Sequence, residues 1–131
     1  MGETTLVEGK VAEAAALVRE LDSRGDSPSA AVWYFYDDAE QWQLLLAGQT
    51  FDPLLPAQEP LAYRKVADAM NALTLSSLWI SEVKVVSSEY PILKALRRLL
   101  RTPAEALTSA YFTDTTIDGL FIKEMVILRS A

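Results

Sequence analysis

Ala31-Val32-Trp33-Tyr34-Phe35-Tyr36, then Asp37-Asp38-Ala39-Glu40, then Trp42-Gln43-Leu44-Leu45-Leu46-Ala47: these three consecutive stretches decide the fold. The first is a run of aromatic and β-branched residues that suits a pleated strand. The second is a polar connection and the third a return strand, so residues 30–47 read as a hairpin. Alternation puts Trp33 and Phe35 on one face and Val32, Tyr34 and Tyr36 on the other. Both faces are largely apolar, which predicts interior strands covered on both sides. An apolar face left open is the alternative, and it would imply a partner.

Outward from the hairpin, helical and strand periods alternate. Leu6, Val7, Val11, Ala14, Val18 and Leu21 predict an amphipathic helix from Thr5 to about Ser23, ended by Gly25 and Pro28. Downstream, Pro60 opens a helix to about Leu73 whose buried stripe is Ala62, Val66, Ala69, Met70 and Leu73. A strand is expected around Ile80 to Val86. Ser87 or Ser88 then caps a helix that begins near Pro91 and runs to Arg101, before Pro103. The last third predicts a strand Ala110–Thr113, a turn near Asp118-Gly119 and a long strand Leu120–Leu128. The order is α-β-β-α-β-α-β-β: one α+β domain over residues 1–131, with a mixed or mostly antiparallel five-stranded sheet and three helices packed on it. No glycine-rich loop follows any strand, so this is not a doubly wound nucleotide fold, and Gly9-Lys10-Val11 lacks the rest of a P-loop.

Composition narrows the chemistry. The 131 residues include no cysteine and no histidine. Thiolate nucleophiles, disulfides and Cys-based metal sites are therefore excluded, and the commonest general base is missing. Half of the residues are hydrophobic, too many for a disordered chain, yet no uninterrupted apolar run is long enough to span a bilayer. No secretory signal pattern opens the sequence, and a cytoplasmic, non-membrane protein is expected. The net charge of −6 is unevenly spread: residues 1–60 hold 11 acidic and 3 basic side chains, residues 61–131 hold 7 and 9. A polyanion would be repelled by the total, except at a local basic patch.

Trp42-Gln43-Leu44-Leu45-Leu46-Ala47, followed by Pro60-Leu61-Ala62-Tyr63-Arg64-Lys65-Val66 and later by Ile117-Asp118-Gly119-Leu120-Phe121-Ile122, resembles a family of small uncharacterised bacterial proteins. The resemblance covers most of the chain from Ala31 onward and implies a bacterial α+β domain, with no catalytic residue to carry over.

Lys94, Arg97, Arg98 and Arg101 recur at i, i+3, i+4 and i+7, on one face of their predicted helix, opposite Ile92, Leu93, Leu96, Leu99 and Leu100. Such a stripe can meet phosphates or an acidic protein surface; a solvated face whose cations suit the helix dipole is the plainer reading. The strand aromatics can stack flat ligands, but they lack interleaved cations, so core packing is expected, with Tyr34 and Tyr36 hydroxyls reaching an edge or partner. Asp114 to Gly119 mimics the opening of a calcium loop, but its twelfth position is Met125, so a hairpin turn is expected. Asp37, Asp38 and Glu40 are ordinary acids on a hairpin tip, and Tyr63-Arg64-Lys65 reads as helix surface. No catalytic, cofactor or metal residues are expected. The candidate interaction surface is Lys94, Arg97, Arg98, Arg101, Tyr34 and Tyr36. These features favour a non-enzymatic interaction or accessory protein that meets a protein partner or a second copy. A nucleic-acid-associated protein using the basic helix, or a small-ligand sensor or enzyme, are the alternatives.

Overall fold

In a computed structural model that describes residues 8–131, the hairpin is the centre of a five-stranded sheet. Strand β1 (Ala30–Tyr36) pairs antiparallel with β2 (Gln41–Ala47), with Ala30 opposite Ala47 and Tyr36 opposite Gln41. On its other side β1 pairs antiparallel with β5 (Leu120–Ser130), which pairs in turn with β4 (Ala110–Ile117). A short β3 (Val83–Val85) lies parallel to β2, and the order across the sheet is β3-β2-β1-β5-β4. The sheet is mixed, and the succession of three helices and five strands is the one expected.

The helices cover both faces. On one face, α1 (Glu8–Ser23) and α2 (Glu59–Asn71) bury Leu17, Val18, Leu21, Ala62 and Val66 against Trp33, Leu44 and Leu46. On the other, α3 (Pro91–Leu99) buries Ile92, Leu93 and Leu96 against Val32, Tyr34, Leu45 and Ile127. The period of two along β1 thus feeds two cores, and the strand is apolar on both faces because both are covered.

Local chemistry sets the ends. The α1 helix closes in a Schellman motif: Asp26 N–H donates to the Leu21 carbonyl and Gly25 N–H to that of Asp22, with Gly25 at φ 79°. Residues Thr5 to Val7 of the predicted helix lie outside the described residues. The strand expected over 80–86 shortens to Val83–Val85. Before it, Ile80–Glu82 forms a single 3₁₀ turn, because the Glu82 carboxylate accepts the Trp79 N–H and the Lys10 ammonium.

The serine cap expected for α3 is not made. Ser88 is held by Asp52, which accepts both its N–H and its hydroxyl, and Tyr90 precedes the helix without a side-chain cap. The helix also stops at Leu99, two residues short of Arg101. Leu100 turns extended and packs on the α3-side core, while Thr102 N–H donates to the Ser130 carbonyl.

Two irregularities steer β5. A bulge opposite Ala31 and Val32 pairs them with Arg129 and Ile127, so Leu128 is the extra residue. Leu128 joins the α1–α2 core, and Arg129, opposite Ala31, turns to that face too. Farther back, Ile122 and Met125 both pack on the α3 side although they are three apart. The slip falls where the β4–β5 ladder skips Asp114, whose φ is 46°. Among the described residues, no helix is long and apolar enough to cross a membrane.

Candidate functional site: a basic cleft beside the last hairpin

The helix α3 and the β4–β5 hairpin enclose an open cleft of about 620 Å³. Its apolar floor is Ala95, Ile117 and Leu120, and its rim carries Lys94, Arg97, Arg98 and Arg101. The hairpin side is shaped by a two-residue turn, Asp118-Gly119, in which both residues adopt positive φ, 52° and 81°. That is the chemistry of an Asp-Gly hairpin, so the segment that resembles a calcium loop is spent on a turn.

All four predicted cations line this one cleft, although they do not share one helical face. Lys94, Arg97 and Arg98 ride on α3, whereas Arg101 reaches the rim from the extended chain beyond it. Leu99, expected on the buried side, is 37% exposed. The internal partners of the cations differ. Arg97 donates to the Ser88 carbonyl, which fixes it against the loop before α3. Arg98 pairs with Asp118 at 3.2 Å and Lys94 with Glu89 at 3.6 Å, both through exposed side chains where such pairs contribute little. Arg101 has no hydrogen-bond or ion-pair partner among the described residues. Four cations against Glu89 and Asp118 leave the cleft positive on a protein whose net charge is −6.

The predicted tyrosines lie elsewhere. Tyr34 is only 6% exposed and belongs to the α3-side core, so it does not form surface. Tyr36 stacks edge-on against it at 4.9 Å and shares a hydrogen bond of 3.1 Å with the Tyr90 hydroxyl. Burial pushes the Tyr36 hydroxyl well above the usual phenol range, and its bond to Tyr90 adds to this. Burial raises Tyr34 in the same direction. Lys84 donates to the Tyr90 hydroxyl at 3.4 Å, with its ammonium over the Tyr36 and Tyr90 rings. Raised in this way, the Tyr34 and Tyr36 hydroxyls stay protonated at neutral pH and do not serve as bases. A shallow hollow of about 260 Å³ beside them is lined by Tyr36, Lys84, Asp38 and Gln43.

Sequence reading missed Lys84 and Tyr90 in this cluster, and Ile117, Leu120 and Asp118 in the cleft. Lys84 carries a local signal, since a cation between Val83 and Val85 must point to the opposite face of its strand. The cleft floor carries none, because it joins segments about twenty residues apart. A third concavity, about 340 Å³, lies between α2 and the following loop, where Trp79 and Ile80 are 65% and 42% exposed. Among the described residues, no cluster of three or more acidic side chains is placed to hold a metal ion.

Comparison with protein-family models, characterised proteins and solved structures finds no match to this chain.

Proposed function

We propose that this protein is an interaction module that captures an acidic segment of a protein partner in the cleft between α3 and the β4–β5 hairpin. The observation that carries this reading is Arg101: a guanidinium without a partner among the described residues, beside an apolar floor and three further cations. An isolated exposed arginine is ordinary, but a concave apolar site rimmed by cations suits a segment that alternates apolar and carboxylate side chains. The sheet edges are poorer candidates. β3 is three residues long, and β4 carries a positive-φ residue, Asp114, in its middle, so both edges are poor templates for strand addition. The role is accessory rather than catalytic, in an aqueous compartment such as the cytoplasm.

Nucleic acid is the second reading, favoured by the same cations. It is opposed by the net charge and by the two carboxylates on the rim. Fluorescence anisotropy with a labelled peptide of alternating Leu and Glu, beside single-stranded DNA of similar length, separates the two. The peptide is expected to bind in 50 mM salt and to lose at least tenfold in affinity when Arg98→Glu and Arg101→Glu are combined. Binding of the DNA alone transfers the cleft to the second reading. Binding of neither, or peptide binding unmoved by the double reversal, ends the proposal.

A further inference from the structure

The β1–β2 turn, Asp37-Asp38-Ala39-Glu40, carries three carboxylates in four residues, and all four residues are exposed. Its shape is set before any encounter: Glu40 adopts φ 52°, and its N–H donates to the Asp37 carbonyl. Asp37 pairs with Lys123 at 3.4 Å, whereas the carboxylates of Asp38 and Glu40 have no hydrogen-bond or ion-pair partner among the described residues. The turn does not enter the cleft of its own molecule, since none of residues 37–40 lines it. One chain therefore presents a convex, preorganised acidic turn and a concave basic cleft, each unfilled by the other.

We infer that the acidic turn of one copy seats in the basic cleft of a second copy, with Asp38 and Glu40 meeting Arg98 and Arg101. This rests on the reading of the cleft as a site for acidic segments and names this chain as an occupant. Complementary charge favours the encounter, and a turn already held in its conformation loses little entropy on docking. Two copies that exchange turns reciprocally close into an isologous two-fold dimer; otherwise the contact is heterologous, and copies add head to tail in a ring or an open chain. In either case self-association occupies the cleft, so an acidic partner segment must displace the turn, and the assembly holds the site closed until it does.

A charge-swap experiment tests this by sedimentation velocity from 10 μM to 1 mM protein in 50 mM salt. One variant carries Arg98→Glu and Arg101→Glu, the other Asp38→Lys and Glu40→Lys. All four sites are exposed, so thermal unfolding is expected to stay close to the parent. The parent is expected to associate with rising concentration and to dissociate in 500 mM salt. Each variant alone is expected to need at least tenfold more protein to associate. Mixed one to one, the two variants restore association, because each reversed cleft then faces a reversed turn. Arg19→Glu, an exposed reversal on α1 away from the cleft, is expected to leave association unchanged. A parent that stays monomeric at 1 mM overturns the inference, as does association unaffected by either variant or a mixture that fails to reassociate. If the monomeric parent still binds the Leu–Glu peptide, only this inference falls; if it binds neither, the reading of the cleft falls with it.

Discussion

Arg129 donates two of its five N–H groups to the two carboxylate oxygens of Asp22, at 2.9 and 3.0 Å, and the other three to the carbonyls of Pro28, Glu105 and Ala106. The guanidinium is fully buried, and every donor it has is satisfied. One side chain thereby ties the end of α1, the loop before β1, the loop before β4 and the last strand into one corner. Burying a charge is costly unless it is paired and hydrogen-bonded, and here both conditions hold.

Removing the carboxylate should therefore cost more than an average substitution. Asp22→Ala leaves a buried guanidinium without its counter-ion, and about 3 kcal/mol of stability is expected to be lost. The hydrogen bond from Arg129 holds the Asp22 carboxyl below the usual carboxylate range. Its contribution is consequently present at neutral pH and fades as pH falls. Urea unfolding at pH 7 checks the magnitude, and a loss below about 1 kcal/mol would show that the corner does not depend on the pair.

Glu13 sets a second acid-sensitive point. Its carboxylate accepts the backbone N–H groups of Ser76, Ser77 and Leu78 and the hydroxyl of Ser76, fastening α1 to the loop after α2. Those donors, Ser76 first, lower its pKa from 4.5 to about 2. A group whose folded pKa is depressed stabilises the fold above its unfolded value and loses that contribution as protonation proceeds. Stability is thus expected to decline between about pH 5 and pH 2, and Glu13→Gln to flatten part of that slope. Thermal melts of parent and variant across this range provide the measurement; identical slopes would contradict the assignment.

How much of this is legible in the sequence follows from how local each feature is. The hairpin is legible because Ala31, Trp33 and Val32, Tyr34 alternate between two apolar faces, and the structure packs those faces into two cores. The α1 stop is legible because Gly25 and its neighbours form a local motif. Arg129 is not. In an unbroken strand it would share the face of Ile127, toward α3, and only the bulge at Leu128 turns it to Asp22. The 3₁₀ turn before β3 is similarly hidden, since Glu82 chooses it by bonding to Lys10 seventy-two residues away. The basic residues of the cleft are legible as a spacing, but their enclosure by Ile117, Leu120 and Asp118 is a tertiary fact.

The Trp33 indole N–H is fully buried and has no hydrogen-bond partner among the described residues. An unsatisfied buried donor costs about 1–3 kcal/mol, which Trp33→Phe would remove. The smaller ring leaves a cavity whose cost is similar and opposite in sign. The two effects should nearly cancel, leaving Trp33→Phe within about 1 kcal/mol of the parent, while Trp33→Ala loses about 3–5 kcal/mol. Chemical denaturation of both variants decides it. A large loss in Trp33→Phe would mean that the indole has a partner, such as a buried water.

The cleft cations should separate binding from stability in a graded way. Arg101 has no partner among the described residues, so Arg101→Ala is expected to leave stability within about 0.5 kcal/mol of the parent while weakening the Leu–Glu peptide severalfold. Arg97 donates to the Ser88 carbonyl, and its removal frees the loop that leads into α3. Arg97→Ala should therefore cost about 1 kcal/mol of stability in addition to any loss of binding. Lys94 is exposed and paired with Glu89 at 3.6 Å, and Lys94→Ala should move both quantities least. Peptide titrations and urea unfolding on the three variants give two orderings. If acidic segments are held by free cations in the cleft, Arg101 heads the binding order and Arg97 the stability order. One common order for both would mean that the cations serve the fold alone.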